Sequence, residues 1–263
     1  MLNAKNEWLE IVEVNPPLLP DMTHSRLNGT WDYVLVTDNP FTQIRVSPYA
    51  YAARITHDVP GVHPTVVAST RDRNILAIES EVRGALGNGV ESFLVVVGDM
   101  LPEVDHWANN YEIVEHLRAL QDAMPAFEVG MTTRFRDWVF RRRTDVGAQF
   151  FVAGPVIDPD TVGPSMERLK LGEDDPPVYL GIMPPFSQKW VARLERLGAV
   201  MTSDRLKAQI AEAPEEERRA LGWRIAKEAT RRAQDEGCAG IVLMGLKFST
   251  VVGEAAGEWR KDG

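Results

Sequence analysis

Short apolar runs rich in β-branched and aromatic residues recur along the chain, and segments with helical spacing follow most of them. The runs are Trp8 to Val14, Trp31 to Thr37, Thr65 to Ser69, Phe93 to Val97, Phe127 to Met131, Phe150 to Ala153, Val178 to Ile182 and Ile241 to Met244. Strands of a parallel sheet covered on both faces read this way, because neither face meets water. Between them, Ile75, Ile78, Val82 and Ala85 recur every three or four residues, as do Ile113, Leu117 and Leu120; that is the spacing of a buried helical stripe. Residues 203–236 are charged and helix-prone, with a break at Pro214, where Glu215 to Glu217 suit the first turn of a new helix. Pro16 to Gly29 has little periodicity and predicts a short or irregular first crossover. Eight strands alternating with helices predict one α/β domain over residues 1–263, a (β/α)₈ TIM barrel.

Composition narrows the function. The chain has 263 residues, 44% hydrophobic and 25% charged, a length typical of one such barrel. A net charge of −9 with no dense Lys/Arg block gives no electrostatic support to a nucleic-acid or anionic-membrane partner. Cys238 is the only cysteine, which excludes an internal disulfide and fits a reducing cytoplasm. Met1 to Glu10 lacks the apolar core of a signal peptide, and no stretch reaches membrane-spanning length. A cytoplasmic protein acting on a small molecule is expected, with homo-oligomer or complex subunit left open. The histidines, at 24, 57, 63, 106 and 116, lack zinc-ligand spacing, so no metal is expected. Nucleophile-elbow, Walker and dinucleotide-binding glycine motifs are missing from the sequence as well. The tryptophans, at 8, 31, 107, 138, 190, 223 and 259, read as core or rim packing, with Trp107 and Trp190 following loops of the active face.

In this fold chemistry sits in the loops after the strands, so polar residues just past each apolar run are the candidates. Glu13 ends the first run and reads either as a general acid, its protonated form favoured by partial burial, or as an arginine-paired structural carboxylate. Asp99 follows Gly98, a glycine that lets a ligand approach the backbone; it is either an acceptor for an amino heterocycle or a turn residue. Thr70-Arg71-Asp72-Arg73-Asn74 joins a strand to a helix, where an arginine fork and a helix start both hold anions. Equally, Asp72 caps the helix while the arginines pair with carboxylates. Arg141-Arg142-Arg143 is either a phosphate site or a solvated basic face.

Taken in order, Glu13-x-x-Pro16-Pro17, Thr37, Thr70 to Asn74, Gly84-Ala85, Gly98-Asp99, Gly147-Ala148 and Gly181-Ile182-Met183-Pro184 resemble the methylenetetrahydrofolate reductase family over nearly the whole length. The resemblance implies a barrel flavoprotein in which NAD(P)H reduces FAD, and FAD then reduces the methylene carbon carried by a tetrahydrofolate. It implies that Glu13 is the acid that helps open the folate's five-membered ring and that Asp99 meets the pterin near the flavin. Thr37, Thr70, Arg71, Gly98, Asp99, Arg142 and Arg143 become the cofactor contacts, Glu13 and Asp99 the catalytic pair, and Gly154 and Phe186 join Glu13 and Asp99 as substrate contacts. There are departures. Gly154 stands where the family has a folate-binding glutamine, an apolar residue near Val67 replaces a histidine, and Val97 replaces an arginine. Met131 to Arg143 is too short for the family's Tyr-Pro-Glu-x-His loop. Two alternatives follow from these departures: a reductase passing hydride directly from nicotinamide to folate, and a non-catalytic folate-binding or complex-forming subunit.

Overall fold

The computed structural model describes residues 2, 7–19, 27, 31, 33–99, 108–246 and 259. Eight parallel strands close in sequence order, with the last pairing to the first. They are β1 (Leu9–Val14), β2 (Tyr33–Val36), β3 (His63–Ser69), β4 (Ser92–Val96), β5 (Glu128–Thr133), β6 (Phe151–Val156), β7 (Val178–Ile182) and β8 (Gly240–Leu243). Every predicted run is a strand, and the expected (β/α)₈ barrel is the fold.

Side chains alternate across each strand, and the alternation separates two cores. Ile11, Leu35, Leu94, Phe150, Val152, Tyr179 and Val242 fill the barrel interior. Their neighbours, such as Val12, Val34, Val66, Val95 and Val129, face outward against the helices. At Gly130 an added Cβ would stand 2.5 Å from the Phe150 ring, so this inward position is left bare to admit the large ring opposite.

The helices are α1 (Pro48–Asp58), α2 (Ile75–Leu86), α3 (Asn110–Leu120), α4 (Asp137–Asp145), α5 (Val162–Glu167), α6 (Gln188–Arg196), α7 (Asp204–Glu212) and α8 (Arg218–Asp235). The predicted stripes of α2 and α3 are buried: Ile78, Val82 and Ala85 in one, Ile113 and Leu117 in the other. The break at Pro214 separates α7 from α8, but Glu215 to Glu217 form a turn before α8 rather than its first turn. Asn74, not Asp72, caps α2, its side chain accepting from the Ala77 amide at 2.9 Å. Sequence reading did not single out α1, α4, α5 and α6. In α4, for example, only Val139 and Phe140 are buried, too few to repeat. The Pro16 to Gly29 crossover lies largely outside the described residues, as do Trp107, His24 and His106.

The three helices α6, α7 and α8 share the long β7–β8 connection and a satellite core of Ile157, Met183, Val191, Leu194, Leu206, Ile210 and Ile225. Among the described residues no helix is long and apolar enough to cross a membrane, and no group of three or more His, Cys, Asp or Glu is arranged to hold a metal ion.

Candidate functional site

Inward positions one or two residues past the apolar layer form the floor of the C-terminal mouth. Glu13 follows Leu9 and Ile11 on the inner face of β1. Its Oε1 accepts a hydrogen bond of 3.2 Å from the Gly245 amide beyond β8. Burial pushes the Glu13 carboxyl above its usual range; the Gly245 N–H opposes this and the charge of Asp99 adds to it. The structure thus brings together the two carboxylates, which lie 86 positions apart in the sequence (99 − 13). No arginine is recorded against Glu13, so the arginine-paired alternative has no support among the described contacts.

Asp99 is exposed at the tip of β4. Gly98 before it has φ of +92°, a backbone that glycine adopts without penalty, and a Cβ there would collide with the Ser69 hydroxyl. The Asp99 carbonyl accepts from Nη1 of Arg71, which is 5% exposed, and Arg71 Nε donates to Asp72 at 2.9 Å. The guanidinium of Arg71 thus ties the Asp99 backbone to the segment after β3. The Asp99 side chain accepts from the Phe41 amide at 2.5 Å.

Thr37 is 7% exposed, its hydroxyl donating to Asn15 Oδ1 at 2.6 Å. Thr70 is fully buried, and its hydroxyl has no hydrogen-bond partner among the described residues. Arg73 pairs with Asp38 at 2.6 Å and with Glu81 at 3.0 Å, behind the mouth. Both arginines of the 71–74 segment thus pair with carboxylates, as one of the two readings expected.

The basic run of α4 divides three ways. Arg141 pairs with Asp137 at 3.1 Å and with Asp175. Arg143 donates to the Thr132 carbonyl at the mouth end of β5. Arg142 is exposed and lies 4.5 Å from the Tyr111 ring.

Gly154 is more than a missing glutamine. Its φ is +115°, a Cβ would stand 2.9 Å from the Gly181 carbonyl, and the β6–β7 register shifts between Ala153 and Val156. A glutamine cannot be restored there without rebuilding the backbone. Sequence reading ended this strand at Ala153; it continues to Val156. Phe186 is turned toward α8, its ring 5.0 Å from Trp223 and against Gly222. The aromatic ring that meets the mouth from this connection is Trp190. Ser187 caps α6 by accepting from the Trp190 amide at 3.4 Å. Trp190 Nε1 points to Met183 Sδ at 3.2 Å, and its ring meets Phe41 edge-on at 5.9 Å.

These residues do not fit a flavin held by the expected contacts. Val67 and Val97 are apolar where polar groups would meet the ring. Only Arg134 to Arg136 join β5 to α4, and of the expected phosphate pair Arg143 is engaged with Thr132. Sequence reading did not single out Phe41 and Thr132. Left-handed backbone at Phe41, and two extra residues on β5, gave no signal in the hydrophobic pattern.

The family model for Methylenetetrahydrofolate reductase matches residues 17–256. No curated protein matches the chain by sequence. Similar solved structures include 2,3-dimethylmalate lyase, of the PEP mutase/isocitrate lyase superfamily, at 14% identity and TM-score 0.56, covering 99% of this chain and 82% of that one. Oxaloacetate acetylhydrolase with the inhibitor 3,3-difluorooxalacetate follows at 11% identity and TM-score 0.54, covering 92% and 76%. EDTA monooxygenase from Chelativorans sp. BNC1 has 12% identity and TM-score 0.55, covering 97% and 93%. At such identities these structures attest the barrel alone.

Proposed function

The chain belongs to the methylenetetrahydrofolate reductase family, and from that premise we propose that it reduces a one-carbon unit carried on tetrahydrofolate, with hydride delivered directly from NADH or NADPH. The observation that carries this reading is Glu13, a carboxyl facing the barrel axis beside Asp99 and held toward its protonated form by burial. A neutral carboxyl is a proton donor. It donates to the amine nitrogen that leaves as the folate's five-membered ring opens, giving an electrophilic iminium carbon. Asp99 accepts N–H groups of the pterin and fixes the ring over Glu13. When bound, the reduced nicotinamide supplies the hydride that converts this carbon to a methyl group. One proton and one hydride enter, and the nicotinamide leaves oxidised.

The family generally pairs its folate with a flavin, and one observation favours that second reading. The exposed Arg142 guanidinium over Tyr111 is available to a cofactor phosphate. Freshly purified protein separates the two. Direct transfer predicts a colourless protein that oxidises NAD(P)H in the presence of methylenetetrahydrofolate with no flavin added. Turnover that strictly requires FAD rejects direct transfer in favour of FAD; no turnover under either condition, in protein that binds reduced folate, leaves a folate-binding subunit.

A further inference from the structure

The segment after β2 holds three left-handed residues, Asn39, Phe41 and Thr42, with φ of 46°, 54° and 62°. Side chains disfavour this conformation, and such strain collects at functional sites. Burial does not explain it, because Phe41 is 60% exposed. What holds the segment is a set of polar anchors. Asn39 Oδ1 accepts from the Arg45 amide at 2.7 Å, Arg45 reaches the Pro16 carbonyl at 2.7 Å, and Asp99 accepts from the Phe41 amide.

Phe41 makes two contacts of different chemistry at the mouth. Its N–H fills Asp99 Oδ2, and its ring meets Trp190 at an interplanar angle of 74°. Trp190 leads in turn to Glu13: its Nε1 points to Met183, the Met183 side chain lies against Gly245, and the Gly245 amide bonds Glu13. The Phe41–Trp190 contact is therefore linked to both candidate carboxylates, directly at Asp99 and through Met183 and Gly245 at Glu13. A reduced pterin likewise presents an N–H donor and a flat ring, there joined in one group.

Resting on the folate reading above, we propose that Trp190 is the ring-stacking residue of the folate site and that Phe41 is its resident occupant, which the pterin displaces. Displacement exchanges like for like. Asp99 gives up a peptide N–H for a pterin N–H, Trp190 gives up one ring for another, and the left-handed turn is released. A ligand that offers only a ring or only a donor replaces half of the contacts, so the occupant selects for ligands with both.

The test is calorimetric titration of the full chain with tetrahydrofolate. Phe41→Gly removes the ring while suiting the left-handed backbone, and it should tighten binding by about two- to tenfold, the scale of one aromatic pair. Phe41→Leu, which keeps an apolar side chain, should lie between wild type and Phe41→Gly; Trp190→Leu should weaken binding and abolish the gain from Phe41→Gly. Unchanged or weaker binding in folded Phe41→Gly overturns the occupant role while leaving the folate reading intact. Failure of the wild type and every variant to bind any reduced folate rejects both.

Discussion

The two ends of the barrel interior each hold a carboxylate, and they treat it in opposite ways. At the N-terminal end Glu128 is 1% exposed, accepts the Leu2 amide at 2.6 Å, and sits near Tyr179, whose hydroxyl donates to the Leu2 carbonyl at 2.8 Å. Desolvation raises the Tyr179 hydroxyl far above its usual range, so it stays a neutral donor. A cavity of about 40 Å³ bordered by Leu2, Tyr33, Ser92 and Glu128 is large enough for little more than a water molecule. This end holds its carboxylate within a set of internal hydrogen bonds. At the C-terminal end, among the described residues, Glu13 has one backbone donor and a like-charged neighbour. Buried carboxylates stabilise a fold when their lone pairs are filled and become reactive when they are not.

The largest expected contrast is in turnover. Glu13→Gln removes the proton donor and should lower turnover about 100-fold or more, with tetrahydrofolate affinity retained in titration. Equal turnover would show that the mouth carboxyl has no part in the chemistry. Glu128→Ala addresses the other end. It strips the Leu2 amide of its acceptor and should cost about 1–3 kcal/mol in denaturant unfolding, while kcat per folded molecule stays at the wild-type value. A selective loss of kcat would dissolve the distinction between the ends.

The smallest effect sharpens the comparison through pH. The folded-state pKa of Glu13 is raised, so as pH climbs from the ordinary carboxyl value through the raised one, the unfolded chain loses its proton first and stability declines. Glu13→Gln lacks this penalty. Its melting temperature should exceed that of wild type at pH 8, and the gap should close toward pH 4. Wild-type turnover should fall over the same rise in pH as Glu13 ionises. A gap that widens in acid would contradict a raised pKa.

Several features of the site were legible in the sequence for local reasons. Glu13 ends one apolar run and Asp99 follows another, so position at a strand end alone placed both at the mouth; the inner face of Glu13 came from the structure. The pairing of Arg71 and Arg73 with carboxylates was one of two readings; Arg71 pairs with its sequence neighbour Asp72, but the partner of Arg73 required knowing that Asp38 comes close in space. Gly154 registered as a substituted glutamine. Its positive φ and its approach to Gly181 on the next strand depend on the β6–β7 register, which no local pattern encodes. Phe186 and Trp190 lie four residues apart in one loop and helix start, and only packing against α8 decided that Phe186 turns outward.

By itself the sequence determined the eight strands, the two stripes of α2 and α3, and the position of Glu13 and Asp99 at the C-terminal ends of their apolar runs. These follow from burial period and from position at a strand end, both short-range properties of the chain. The tertiary structure alone decided that Glu13 and Asp99 are electrostatic neighbours, that Arg71 bonds the Asp99 carbonyl, and that Phe41 reaches across to Trp190. Each of these depends on barrel closure, which sets residues far apart in sequence side by side and leaves no trace in local periodicity.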